Sequence, residues 1–232
     1  MKDAFKRPQS LKVFIRRLIF EMKALGVDSI VIVLIISIFV GAAVVMQILL
    51  NLENPMYPKW IYGFVSRKAI MLEFSPTIIS LILAGKCASR IASEIGTQRI
   101  TEQIDALEIM GVNTASYLIM PKIISCVIFF PLLAVQSIFS AIVGGWLGGL
   151  LLGTLTTFDY IEGLRLEFTI GDFWYAMVKI VVNAVIISTI SCYRGYTIKG
   201  GSVEVGHQST KAVVQSSIVI MIFNILITQL FN

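Results

Sequence analysis

The run from Ser29 to Leu50, SIVIVLIISIFVGAAVVMQILL, holds no charged residue. At 1.5 Å per residue it is long enough to cross a hydrocarbon core of roughly 30 Å. The rest of the chain is of the same kind. Of 232 residues, 56% are hydrophobic and 14% charged, and the mean hydropathy is +0.85. A soluble domain carries about 25% charged residues. A chain this poor in charge cannot cover a globule with polar surface, so its solvent on most sides is lipid.

Working outward, four more apolar runs qualify as spans. The second covers about 69–90 and is interrupted by Glu73, Ser75 and Pro76. The third, about 123–152, is longer than a crossing requires, with Pro131 as the natural bend. The fourth, about 173–193, contains Lys179, and the fifth, about 212–231, has no formal charge. The expected fold is an all-α integral membrane protein, with one transmembrane bundle over 29–232 and a separate segment over 1–28.

A formal net charge of +5 could point to nucleic acid, but the charges sit at the ends of apolar runs, where anionic headgroups would meet them. No nucleic-acid motif accompanies them. Cys87, Cys126 and Cys192 are scattered, without CxxC or Cys/His spacing. They indicate neither a disulfide framework nor a metal site, and read as small hydrophobes.

Lys and Arg set the orientation. With the N-terminus cytoplasmic, the inside segments 1–28, 85–122 and 194–211 hold seven, four and three of them. The outside segments 51–68 and 154–172 hold three and one. This bias places the N-terminus inside and, after five spans, the C-terminus outside. Tyr57, Trp60, Tyr62 and Phe64 in the first outside loop suit a membrane–water boundary. Within 1–28, Phe5, Leu11, Phe14, Ile15, Leu18 and Met22 recur at helical spacing among Lys2, Lys6, Arg7, Lys12, Arg16, Arg17 and Lys23. This pattern predicts a basic amphipathic helix lying in the interface. A signal peptide fits less well, because the apolar run is broken and no small-residue cleavage site follows it.

Gly144, Gly145, Gly148, Gly149 and Gly153 form three overlapping GxxxG pairs in the third run. Small residues four apart let helix backbones approach closely, within one chain or between two copies. Glu73 and Lys179 enter their spans from the same side at similar depth, which suggests a pair, since an unpaired charge there is costly. Asn224 reaches the same half from within and could join them. Snorkelling to the headgroups is the alternative for Lys179.

The connection from Gly85 to Pro121 is too long and too patterned for a plain loop. Thr101-Glu102-Gln103-Ile104-Asp105-Ala106-Leu107-Glu108-Ile109-Met110-Gly111 reads as one short helix, over about 101–110. Thr101 suits its N-cap, Glu102 and Asp105 its positive end, and Gly111 its stop. Ile100, Ile104, Leu107 and Met110 form an apolar strip beside acids that anionic lipid would repel. A protein partner explains this face better than a membrane does, with Glu102, Asp105, Leu107 and Glu108 docking into it.

Ala84-Gly85-Lys86, then Ala92-Ser93-Glu94-Ile95-Gly96-Thr97 and Thr101-Glu102-Gln103-Ile104-Asp105-Ala106-Leu107, resembles the signature of the MlaE family. These are permeases of ABC transporters that move phospholipid with MCE-domain partners. Gly41 and Gln47, Glu73 and Pro76, Tyr117 to Pro121, Gly195-Tyr196, Gly200-Gly201, Gly206 and Ala212-Val213-Val214 agree with it, so the resemblance runs from about residue 26 to the end.

The resemblance implies an interfacial N-terminal helix, five spans and a short cytoplasmic coupling helix, in the bacterial inner membrane. It implies a homodimer bound to two cytoplasmic ATPases, with a periplasmic MCE-domain protein and phospholipid as further partners. It places Glu94, Thr101, Glu102, Gln103, Asp105, Leu107 and Glu108 at the ATPase contact; Gln47, and on their depth Glu73, Lys179 and Asn224, are the polar residues expected to line the lipid path or hold its helices. No cofactor or catalytic residue is expected. No GxxxxGK[ST] phosphate loop occurs, and Gly85-Lys86 lacks both the first glycine and the Ser/Thr, so ATP hydrolysis belongs to another subunit.

The chain departs from the family's usual residues at Leu72, Cys87-Ala88, Glu204 and Asn224, so no detailed polar mechanism is carried over. Two other classes, a secondary transporter and a structural membrane anchor, fit the sequence less well. A secondary transporter would be expected to hold several ionisable groups at mid-membrane, and a structural anchor needs no coupling helix.

Overall fold

In lipid every backbone N–H and C=O must be bonded internally, so apolar runs of this length fold as helices. The computed structural model describes residues 11–51, 58–153 and 155–231. Among them, five continuous helical runs are long and apolar enough to cross a membrane: Leu11–Asn51, Trp60–Ile100, Ala115–Leu151, Ile170–Tyr196 and Ser202–Phe231. No strand occurs among the described residues. The chain is an all-α, multi-pass membrane protein.

The α-helices are α1 (Leu11–Glu21), α2 (Ile30–Asn51), α3 (Trp60–Ala69), α4 (Ser75–Leu83), α5 (Ser89–Ile100), α6 (Gln103–Ile109), α7 (Met120–Leu151), α8 (Thr157–Arg165), α9 (Ile170–Tyr196) and α10 (Ser202–Phe231). Wide π turns join several of them without a break: Met22–Gly26 and a 3₁₀ turn Val27–Ser29 between α1 and α2, Ile70–Phe74 between α3 and α4, and Ala84–Ala88 between α4 and α5. The helical run Leu11–Asn51 passes through these turns without a break. Lys2, Phe5, Lys6 and Arg7 of the expected amphipathic helix, and Tyr57 of the outer aromatics, lie outside the described residues.

Residues 60–69 and 157–165, in the segments expected outside, are helical as α3 and α8. The helix of the second run continues past Glu73, Ser75 and Pro76 by way of a π turn. Pro131 lies inside α7, a helix of 32 residues. One expectation is corrected. Thr101 is not the N-cap of α6. It closes α5, its hydroxyl donating to Thr97 O at 2.8 Å, while Glu102 precedes α6 in the left-handed region at φ 58°.

The chain divides into two compact units. The first comprises residues 11–29, 80–130 and 181–231 of those described. Here α5 packs on α10 through small residues. A Cβ at Gly195 would lie 2.8 Å from Ala92 O, and Ser209 Oγ donates to Ser89 O at 3.0 Å. The buried face of α10 is Val205, Ser209, Ala212, Ser216, Ile220, Asn224 and Ile227, spaced at three and four. Large apolar residues such as Ile218, Met221, Ile222 and Ile225 point outward. Small and polar inside with large apolar outside is the pattern of a helix whose solvent is lipid.

The turns between α1 and α2 would leave carbonyls exposed, and side chains close them. Ser29 Oγ donates to Leu25 O at 2.8 Å, Arg90 Nη1 to Ala24 O at 3.0 Å, and Lys86 Nζ to Asp28 O. Cys87, Cys126 and Cys192 are buried free thiols, and Cys87 Sγ donates to Leu25 O at 3.6 Å.

The second unit comprises residues 30–79 and 131–180. Its seam is α2 against α7. A Cβ at Gly144 would overlap the Ile38 carbonyl, and one at Gly41 would overlap that of Ala141. At Gly148 a Cβ would sit 3.0 Å from Ala42 Cα. Gly145 faces Val45 and the Tyr160 hydroxyl, while Gly149 faces Leu155. The glycines thus serve packing within the chain, on two faces of α7. Ser137 ties three helices here, accepting from Ser37 Oγ and from Ser75 Oγ, each at 2.9 Å.

Helices α3 and α8 pair through Gly63 and Gly163, where a Cβ on either would overlap a carbonyl of the other helix. Thr156 caps α8, its hydroxyl accepting from Asp159 N at 3.2 Å. Val45, Leu49, Leu155 and Tyr160 form an apolar cluster beneath the pair.

Candidate functional site

In the second unit the polar residues of the apolar runs meet at a proline. Pro76 has no N–H, so it cannot donate to Leu72 O as a regular helix requires. The buried ammonium of Lys179, on α9, donates to that carbonyl at 3.1 Å and to Glu73 Oε1 at 2.8 Å. It also lies 4.5 Å from the centroid of the Tyr175 ring. Glu73 is 48% exposed and Lys179 fully buried, so the lysine does not snorkel. The structure therefore brings two of the four expected lipid-path residues together.

The other two are placed elsewhere. Gln47 stands on the exposed face of α2. Asn224, in the first unit, is buried and accepts from Asn183 Nδ2 at 3.3 Å, and the same nitrogen donates to Ser80 Oγ at 2.8 Å. Asn183 and Ser80 were missed from sequence because a single neutral polar residue in an apolar run carries no distinctive signal.

Arg67 was also missed, having been counted only as an outside charge. It is buried and closes the end of α8, donating through Nη1 to Leu164 O at 2.7 Å and Leu166 O at 2.8 Å, and through Nη2 to Glu167 O at 3.1 Å. A cation at a helix C-terminus meets both the last carbonyls and the negative end of the dipole. The rings of Phe64 and Phe168 flank it, at 5.5 and 5.6 Å.

The expected ATPase-contact residues gather on and beside α6 in the first unit. Gly111 at φ 74° ends the helix. Ile104 is buried, Leu107 half-buried, and Thr101, Glu102 and Gln103 exposed. Two of the acids are engaged within the chain. Asp105 Oδ1 accepts from Arg99 Nη1 at 2.6 Å. Glu108 Oε1 accepts from Tyr196 Oη at 2.7 Å and Thr114 Oγ1 at 3.1 Å, and these two donors hold its carboxyl below the usual range. Glu94 pairs with Lys122 at 2.8 Å. The apolar residues left open are Ile109, 87% exposed, and Met110, 68% exposed.

This arrangement can seat a partner on a short helix whose register is fixed by its own chain. Helices, cap and buried ion pairs are the parts of a membrane component, and the comparisons with known proteins agree. The family model described as "Permease MlaE" matches residues 18–230. A probable ABC transporter permease protein of Rickettsia prowazekii is 35% identical over 238 residues, spanning 100% of this chain and 87% of that protein. One of Synechocystis is 31% identical over 215 residues, 93% of this chain and 81% of that protein. Another, from Pyropia yezoensis, is 31% identical over 225 residues, 96% of this chain and 82% of that protein. A match of this extent, on a five-run helical chain, shows that the protein belongs to the MlaE permease family.

Proposed function

We propose that this chain is the membrane subunit of an ATP-driven transporter that moves phospholipid between the bacterial inner membrane and a periplasmic MCE-domain partner. Two copies of the chain assemble with two copies of a cytoplasmic ATPase. The relatives' description as probable ABC transporter permeases supports the ATP-driven part. The lack of a phosphate loop in the sequence favours hydrolysis by a separate subunit. The phospholipid and the MCE-domain partner rest on the family resemblance. The Lys and Arg bias supports an N-terminus inside and a C-terminus outside.

The observation that carries the reading is α6. A helix outside the long apolar runs leaves Ile109 and Met110 open at its end, next to the exposed Glu108, and Glu102 and Gln103 exposed at its start. Acids disfavour an anionic membrane surface and open apolar side chains disfavour water, whereas a groove on a protein accommodates both. Thr101, Glu102, Gln103, Ile109 and Met110 form the contact. Asp105, Leu107 and Glu108 belong to the same contact, the two acids held in place by Arg99 and by Tyr196 and Thr114, and Glu94 lies on the neighbouring α5.

Glu73 and Lys179 belong to the lipid path or brace the helices that line it. Native mass spectrometry of the purified membrane complex, with lipid identification, tests the assignment. An ATPase subunit and bound phospholipid are expected. A chain that elutes with no ATPase and no phospholipid overturns it.

A further inference from the structure

Lys122 lies in the first turn of α7 and its side chain is fully enclosed. Its ammonium is 2.6 Å from Glu21 Oε1, the last residue of α1, and 2.8 Å from Glu94 Oε2, in the middle of α5. One cation therefore joins three helices, and two of them, α5 and α7, are the arms from which the α6 excursion hangs. Arg17, one turn before Glu21, lies 4.2 Å from the centroid of the Tyr117 ring in the π turn that leads into α7. The N-terminal helix is thus tied to both sides of the α6 connection.

The two carboxylates are not equivalent. Glu21 is 1% exposed and its Oε2 is buried without a hydrogen-bond partner, whereas Glu94 is 30% exposed. With both ionised the cluster holds two negative charges against one positive, in a medium that penalises the excess. If Glu94 withdraws toward water, a neutral Lys122–Glu21 pair remains. If Glu21 withdraws it has no water to reach. Geometry and charge make Glu94 the movable arm and Glu21 the fixed one.

We infer that Lys122 is a positioning residue of the transport cycle: it carries displacement of α6 to the N-terminal helix by gaining and losing Glu94 while it keeps Glu21. This rests on the reading that α6 seats the ATPase. A push on α6 that changes the separation of α5 and α7 must lengthen or shorten the Glu94–Lys122 contact. Because Lys122 stays bound to Glu21, α1 follows α7, and the relation between α1 and α5 changes with nucleotide.

The test uses the full complex with its ATPase, spin-labelled at Ile15→Cys on α1 and Thr97→Cys on α5, both exposed positions. The label distance is measured with and without a non-hydrolysable ATP analogue. With Glu94 present, the distance is expected to shift on adding the analogue. In the Glu94→Gln background the shift is expected to vanish, and phospholipid moved per ATP hydrolysed to fall by about tenfold, while the ATPase still co-purifies. Lys122→Arg, which keeps the charge, is expected to retain the shift, a result that a purely structural requirement for the native side chains would not give.

A nucleotide shift that persists in Glu94→Gln with unchanged coupling overturns the inference. So does the absence of a shift in the complex that retains Glu94 and contains the ATPase. An ATPase that never associates with this chain overturns the docking reading itself, and the inference with it.

Discussion

Lys179 Nζ lies 3.1 Å from the carbonyl oxygen of Leu72, the acceptor that a regular helix would satisfy with the N–H of residue 76. Residue 76 is proline and has no N–H, and a side chain from α9 donates to this carbonyl. The same ammonium holds Glu73 at 2.8 Å. A proline, a carboxylate and a lysine thereby form one joint between the second and fourth apolar runs.

This joint predicts the outcome of a charge swap. Glu73→Lys alone places two cations together and should impair phospholipid transfer, and adding Lys179→Glu should restore part of it. In a double-mutant cycle on thermal unfolding, Glu73→Gln and Lys179→Met should couple by about 1–3 kcal/mol. Strict additivity would mean that the two residues do not act as partners.

The α2–α7 seam gives a graded series. Gly144→Ala forces a methyl group into the Ile38 carbonyl and should cost about 1–3 kcal/mol. At Gly149 the nearest atom to a new Cβ is Leu155 Cδ2, at 3.0 Å, the end of a flexible side chain, so Gly149→Ala should cost less than about 1 kcal/mol. Melting temperatures in detergent check the order, and equal losses would contradict it.

Arg67→Met should uncover the carbonyls of Leu164, Leu166 and Glu167 at the end of α8. Leu164 is half-buried and Leu166 and Glu167 are exposed, so water replaces part of the lost bonds and a total loss of about 1–2 kcal/mol is expected. Arg67→Lys should recover little, because an ammonium cannot reproduce the fork that reaches all three acceptors. Full recovery by lysine would show that only the charge matters.

Glu108 makes a pH prediction. Donation from Tyr196 and Thr114 holds its carboxyl below the ordinary range. A depressed carboxylate contributes stability that is present above its unfolded pKa of about 4.3 and is lost as pH falls through the lower folded value. The stability difference between the unsubstituted protein and Glu108→Gln should therefore shrink on going from about pH 6 to about pH 3.5. A difference independent of pH would mean that the charge of Glu108 contributes nothing.

How much of this was legible beforehand depends on the range of the interaction. Charge-free runs announce membrane helices because the solvent itself selects them, and Gly111 marks the end of α6 because a left-handed stop needs no distant partner. The meeting of Glu73 and Lys179 could be read from equal depth, since a membrane reduces position along a span to one coordinate. Helices α3 and α8 could not be read in this way. Their Gly63–Gly163 contact and the Arg67 cap bring together residues far apart in sequence, and each segment alone looks like a polar loop. Glu94 illustrates the same limit: its place in a specific motif suggested a partner protein, while its nearest cation, Lys122, lies beyond α6 on another helix. Thr101 failed as a cap because its hydroxyl bonds back into α5.

The most direct test of the account is transfer of a fluorescent phospholipid from phosphatidylethanolamine–phosphatidylglycerol liposomes that contain the proposed complex to the purified MCE-domain protein proposed as its partner. Transfer is compared with ATP and with a non-hydrolysable analogue, for the unsubstituted protein and for the Ile109→Asp/Met110→Asp double variant. The account predicts transfer that requires ATP hydrolysis and is lost in the double variant, together with the ATPase, while the permease stays inserted in the membrane. Transfer that proceeds equally without hydrolysis, or that continues undiminished in the double variant, would contradict it.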